Sequence, residues 1–228
     1  MRAVALVHFY PPYRMAGSET MLHTMLSTLT DEGHDAFVVC TDMPEAAGRW
    51  TYERIPVFHP RPSSTATAKV AELRPDVIVT HHDHAALAII TARRLGVPSV
   101  FIQHNTFPSN RVILSMQPDL TVFNTEWVAR DWRHHLEGRW MVVHPPVWAR
   151  DHASPAGGRH VTLVNLNVNK GVHVFSHLAQ LFPDVPFLGV EGAHGQQITV
   201  AGLSRNGPSN RFRSRASSWR SWTSQVCR

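Results

Sequence analysis

Six short apolar runs constrain this chain more than any other feature. Residues 3–9, 36–40, 77–79, 99–102, 120–123 and 141–143 are rich in valine, isoleucine and phenylalanine, and none alternates cleanly between apolar and polar side chains. A strand with one wet face alternates with period two, whereas a run without alternation is buried on both faces, as in a parallel sheet covered by helices. Amphipathic stretches lie between most of the runs. From Ser18 onward Met21, Leu22, Met25, Leu26 and Leu29 fall on one helical stripe, with Glu19 in the first turn and Gly33 past the end. Residues 85–95 repeat the pattern and close on Arg93 and Arg94, followed by Gly96 and Pro98. Strand, helix, strand with right-handed crossovers predicts an α/β fold: a doubly wound parallel sheet, Rossmann-like, over residues 1–147.

Near Pro145 this grammar breaks. The segment HPPVWARDHASPAGGRH, which ends at His160, holds three prolines and two glycines with little apolar order, so a linker is predicted over 148–160. Strand, helix and strand then recur at 161–166, 171–181 and 185–190, one βαβ unit within a partial second domain at 161–197. A unit of that size buries too little surface to stand alone. From Thr199 to Arg228 there are seven serines, six arginines, Trp219 and Trp222, and no acidic residue. That composition predicts a disordered basic tail over 198–228, and its abrupt onset reads as a shifted frame in place of the rest of the second domain.

The tail also explains the charge. The formal net charge of +5 points toward nucleic acid or an anionic membrane, but setting aside the six tail arginines leaves 16 basic against 17 acidic side chains. The folded part is near neutral, so no specific nucleic-acid partner is expected, while peripheral membrane contact through the tail stays open. Only Cys40 and Cys227 are present, which excludes a disulfide framework and fits a reducing cytoplasm. The first apolar run is too short for a membrane span and poor as a signal peptide, and reads as a buried strand.

Three segments carry candidate chemistry. In HFYPPYRMAGSET, prolines stiffen the turn after the first strand, and Gly17 opens a helix whose free N–H groups favour an anion; the structural alternative is a tight turn with Ser18 as N-cap. In VPSVFIQHNTF, His104 closes a buried strand and could hydrogen-bond a sugar hydroxyl or share transition-state charge, with Asn105 beside it. In VTLVNLNVNKG, Lys170 precedes a helix, a position unfavourable to the helix dipole unless a phosphate lies there too, and Asn165 and Asn167 occupy the same loop. The cluster His81, His82, Asp83 and His84 is not expected to hold a metal, because adjacent residues on a strand end point in different directions. His134 and His135 are expected at the surface.

Together these segments resemble glycosyltransferase family 4, of the GT-B fold. The resemblance covers residues 1 to 197, nearly all of an N-terminal acceptor-side domain and the opening of a nucleotide-sugar domain. It implies retaining transfer of a sugar from a nucleotide diphosphate sugar to a hydroxyl on a glycan, lipid or small acceptor, with no cofactor beyond the donor and no metal. It implies that Gly17, Ser18, Glu19 and Asn105 line the cleft, that His104 is the catalytic residue facing the reacting sugar, and that Lys170, Asn165 and Asn167 meet the donor phosphates. Ala16 stands where the family more often has a second glycine, Asn105 where an acidic residue often follows the histidine, and the arginine companion of Lys170 is absent. The family's two glutamates eight residues apart have no counterpart after Gln197. A C-terminally truncated transferase, weak or inactive alone, is therefore expected, and a noncatalytic acceptor-binding or partner-binding module is the alternative.

Overall fold

The computed structural model describes residues 1–43, 48–147, 158–192 and 196–198. The chain divides into two units, Met1–Trp148 and Ala149–Arg228. The basic tail from 199 and linker residues 148–157 lie outside the described residues.

In the first unit the strands are β1 (Arg2–Val7), β2 (Asp35–Cys40), β3 (Gly48–Tyr52), β4 (Ile55–His59), β5 (Val77–His81), β6 (Ser99–Gln103), β7 (Leu120–Phe123) and β8 (Arg139–Val142). The helices are α1 (Gly17–Asp31), α2 (Ala66–Glu72), α3 (Ala85–Leu95), α4 (Asn110–Ser115) and α5 (Glu126–Trp132). They build one sheet in the order β3-β4-β2-β1-β5-β6-β7-β8, in which every pairing is parallel except β3 with β4. Among the parallel strands this is the doubly wound order, with its topological switch point between β1 and β5.

The lack of alternation in the apolar runs has a direct cause. On β1, Ala3, Ala5 and Val7 pack against Met21, Leu22 and Leu26 of α1, while Val4 and Leu6 pack on the other face with Val70 of α2 and Ala88 and Ala92 of α3. Both faces of the central strand are thus core, and each fully buried valine or leucine contributes roughly 1.5–3 kcal/mol. Polar clamps fix the register between the runs. Asp119 Oδ2 accepts hydrogen bonds from the Ser99 N–H and hydroxyl, each at 2.8 Å, joining the starts of β6 and β7. Those bonds hold its carboxyl below the usual carboxylate range. Asp119→Ala is expected to lower unfolding free energy by about 1.5–3 kcal/mol, the range for hydrogen bonds to a charged group, read as a reduced urea midpoint at pH 7.

Two features depart from the sequence expectations. The antiparallel hairpin of β3 and β4 is unforeseen, because its turn residues Glu53 and Arg54 take φ of +42° and +75° without glycine and Pro56 interrupts the second strand. Helix α1 begins at Gly17 with Ala16 as N-cap, not Ser18.

The second unit holds β9 (Val161–Val164) and β10 (Phe187–Val190), paired in parallel, with α6 (Val172–Leu181) between them in sequence. Phe175, Ala179 and Phe187 form its small core. The predicted strand at 161–166 stops early because Asn165 takes φ of +69°. Among the described residues no helix is long and apolar enough to cross a membrane.

Candidate functional site

In a parallel sheet every strand delivers its last residue to the same edge, and here that edge is rich in histidine. His8 follows β1, His81 and His82 stand at the end of β5, and His104 follows β6, on either side of the switch point. His81 Nδ1 lies 3.1 Å from His104 Nε2. The His82 ring centroid is 4.7 Å from that of His81 and 5.0 Å from that of His104, and His8 stacks edge-on to His81 at 5.8 Å. The expectation that the adjacent histidines diverge is corrected: His82 takes φ of +54°, a left-handed conformation that cancels strand alternation and turns both rings to one side. His84, one turn further, bonds Asp42 at 2.9 Å.

Electrostatics keep the two innermost imidazoles uncharged. Burial, then the neighbouring His82, pushes His104 down to about 3. Burial, then His82, His104 and His8, holds His81 well below its ordinary value. Among the described residues no carboxylate bonds either ring, so nothing offsets the desolvation. At neutral pH the His104 imidazole is therefore uncharged. Its Nε2 faces His81, and its Nδ1 has no hydrogen-bond partner among the described residues. The Asn124 amide donates to its carbonyl at 2.9 Å and holds the backbone in place.

Asn105 braces its own loop. Its Oδ1 accepts from the Phe107 N–H at 3.1 Å and from the Asn110 amide at 2.9 Å. Gly17 is exposed at the start of α1, and an added Cβ would meet nothing within 4 Å. Ser18 and Glu19 follow it, but the Glu19 carboxylate is buried and turned inward. Its Oε2 accepts from the Ala16 N–H and the Ser18 hydroxyl, both at 3.1 Å, which leaves it closing the loop. The loop before it is pinned by Tyr10, which is fully buried and whose hydroxyl meets His23 Nδ1 at 2.8 Å; His23 Nε2 in turn meets Glu53 at 3.0 Å.

The second unit carries the other candidates. Lys170 ends a short 3-10 turn before Gly171, whose φ of +83° lets the chain enter α6. Its side chain is exposed, and its Nζ has no hydrogen bond or ion pair among the described residues. Asn165 and Asn167 are committed to each other: Asn167 Nδ2 donates to Asn165 Oδ1 at 2.9 Å, and Asn167 Oδ1 accepts the Lys170 N–H at 3.0 Å. Gln197 completes the loop, donating to Asn165 Oδ1 at 2.7 Å and accepting the Leu166 and Gly192 N–H groups at 2.9 and 3.0 Å. A Cβ on Gly192 would lie 2.5 Å from Asn165 Cγ and 2.6 Å from its Cβ. Gly192→Ala is accordingly expected to cost the second unit about 1–3 kcal/mol by overpacking, read by hydrogen exchange of the Leu166 and Val190 amides.

Sequence reasoning placed His104 but missed its company. The missed signal is that apolar runs repeatedly close on histidine, at His8, His59, His81, His104 and His144, which a parallel sheet gathers on one edge.

Solved structures share this fold. An alpha-glucosyltransferase in complex with UDP-glucose and DNA containing an abasic site superposes with a TM-score of 0.55 at 11% identity, covering 84% of this chain and 57% of that one. The S. aureus MnaA–UDP structure superposes with a TM-score of 0.52 at 14% identity, covering 85% and 63%. The architecture is that of the GT-B glycosyltransferases, and this chain spans less than two thirds of the length of these solved chains. The family model for Glycosyltransferase Family 4 matches residues 15–148. The chain belongs to that family. No curated protein sequence matches it.

Proposed function

We propose that the chain is a sugar-transfer protein that moves a glycosyl group from a nucleotide diphosphate sugar to a hydroxyl acceptor with retention of configuration, weakly by itself. The observation that carries the reading is His104: a neutral imidazole at the carboxyl edge of β6, beside the switch point where doubly wound sheets bind ligands, with Nδ1 open to a hydroxyl. A neutral imidazole can orient a sugar hydroxyl and stabilise developing charge through its dipole, without itself titrating during turnover. Gly17 and Ser18 stand at the N-terminus of α1, where backbone N–H groups favour an oxygen-rich ligand. Lys170 supplies the cation suited to a leaving diphosphate. Weak turnover follows from the donor loop, in which the side chains of Asn165, Asn167 and Gln197 are hydrogen-bonded to one another and Lys170 supplies the cationic side chain.

Incubation of the chain with a panel of nucleotide diphosphate sugars and hydroxyl acceptors tests this, with products read by mass spectrometry and anomers by NMR. Slow formation of a glycoside that keeps the donor configuration is expected, reduced about 100-fold or more by His104→Ala. An inverted product would overturn retention. Acceptor binding without transfer would select the noncatalytic acceptor-binding or partner-binding module.

A further inference from the structure

We infer that His81, His82 and His104 form a three-imidazole site for a divalent transition-metal ion of the zinc type. The three side chains each offer a ring nitrogen within 4.8 Å of the others. Zinc–imidazole bonds of about 2.0–2.1 Å put tetrahedral nitrogens about 3.3 Å apart. The His81–His104 pair, at 3.1 Å, already has that spacing. Closing the remaining gap takes a ring movement of about 1.5 Å, within reach of His82, which is half-buried.

Three separate oddities meet at this point. Two ring nitrogens face each other, where their lone pairs repel unless a proton or a cation lies between them. The other nitrogen of His81, Nε2, is buried without a hydrogen-bond partner, so the polar contact of this buried ring is with His104. His82 holds a left-handed backbone that strains any side chain with a Cβ, and that conformation is what brings its ring beside the other two. A proton shared between His81 and His104 would answer the first oddity only, and it gives no reason for His82 to turn inward. An ion held by three imidazoles uses all three rings and leaves a fourth position for water or a ligand oxygen. Imidazole ligands of this kind suit zinc and its late first-row neighbours and are poor ligands for magnesium or calcium. The inference stands on the first unit alone and does not depend on sugar transfer.

The test uses the full chain stripped with a chelator and titrated with Co²⁺ as a spectroscopic stand-in, followed by competition with Zn²⁺. One equivalent is expected to bind with the intense visible absorption of a tetrahedral site, bleached by Zn²⁺. His82→Asn, which tolerates the left-handed backbone, and His104→Gln are each expected to weaken binding by at least about tenfold. The double change His134→Ala and His135→Ala, at rings 4.0 Å apart elsewhere in the unit, is expected to leave affinity within about twofold. Far-UV circular dichroism of each variant separates ligand loss from misfolding. Binding unaffected by both His82→Asn and His104→Gln, binding lost only with the His134 and His135 pair, or no saturable binding of Co²⁺ or Zn²⁺ to the folded chain would overturn the assignment.

Discussion

In metal-free buffer, lowering the pH from 6.5 to 5 is expected to cost the first unit about 1.5–2 kcal/mol through His104, with a loss of the same sign through His81. Both imidazoles have folded pKa values below the unfolded value of 6.5, His104 at about 3. The unfolded chain therefore takes up protons first as the pH falls. The stabilising contribution is present above pH 6.5 and is lost progressively toward the folded values, with a slope that for His104 approaches about 1.4 kcal/mol per pH unit. Urea unfolding with EDTA at pH 7, 6 and 5 reads the slope, and His104→Gln should reduce it. A stability that stays flat across this window would mean that the two rings are not buried as described.

Tyr10→Ala is expected to be the most damaging single change, at about 3–5 kcal/mol. Tyr10 is among the largest fully buried side chains and packs with Met21 and Leu22 on the β1–α1 face. Its hydroxyl is also the first link of the chain through His23 to Glu53, which ties the loop after β1 to α1 and to the hairpin. Tyr10→Phe keeps the packing but strips the partner from His23 Nδ1, and should cost about 1–3 kcal/mol. Thermal unfolding of the two variants separates volume from hydrogen bonding. Equal losses would show that the hydroxyl does not matter, and a neutral Tyr10→Ala would contradict the placement of the loop.

Much of the first unit was legible because burial on both faces leaves a compositional trace. β7 spans the residues expected of it, and β1, β2, β5 and β6 differ at their ends by a residue or two, since Val and Ile density reports a fully buried strand directly. α1 and α3 were legible from their stripes, and Gly96, at φ of +68°, ends α3 as a C-cap glycine should. The β3–β4 hairpin was not, because neither Glu53 nor Arg54 advertises a left-handed turn and the strand pair is half exposed. α2, α4 and α5 were too short to show a period.

The site divides along the same line. His104 was legible as the polar residue that stops an apolar run. Its neighbours were not, because strand order alone decides which run ends lie side by side, and β5 next to β6 cannot be read from either segment. His82 was misjudged for a local reason: period two forbids adjacent side chains from sharing a side, and only its positive φ breaks the rule. Glu19, which the family resemblance puts in the cleft, accepts hydrogen bonds from Ala16 and Ser18 that tie its carboxylate to the loop.

Histidine-selective NMR of the full chain tests most directly whether the sheet edge around His104 holds sugar, as proposed. The His104 resonance is identified as the one missing in His104→Gln, and nucleotide diphosphate sugars and hydroxyl acceptors are then titrated in turn. Movement of that resonance with at least one sugar ligand, with the surface resonance of His134 unmoved, is expected. Sugar binding that shifts other histidines while His104 stays fixed, or no shift at any millimolar ligand, would contradict it.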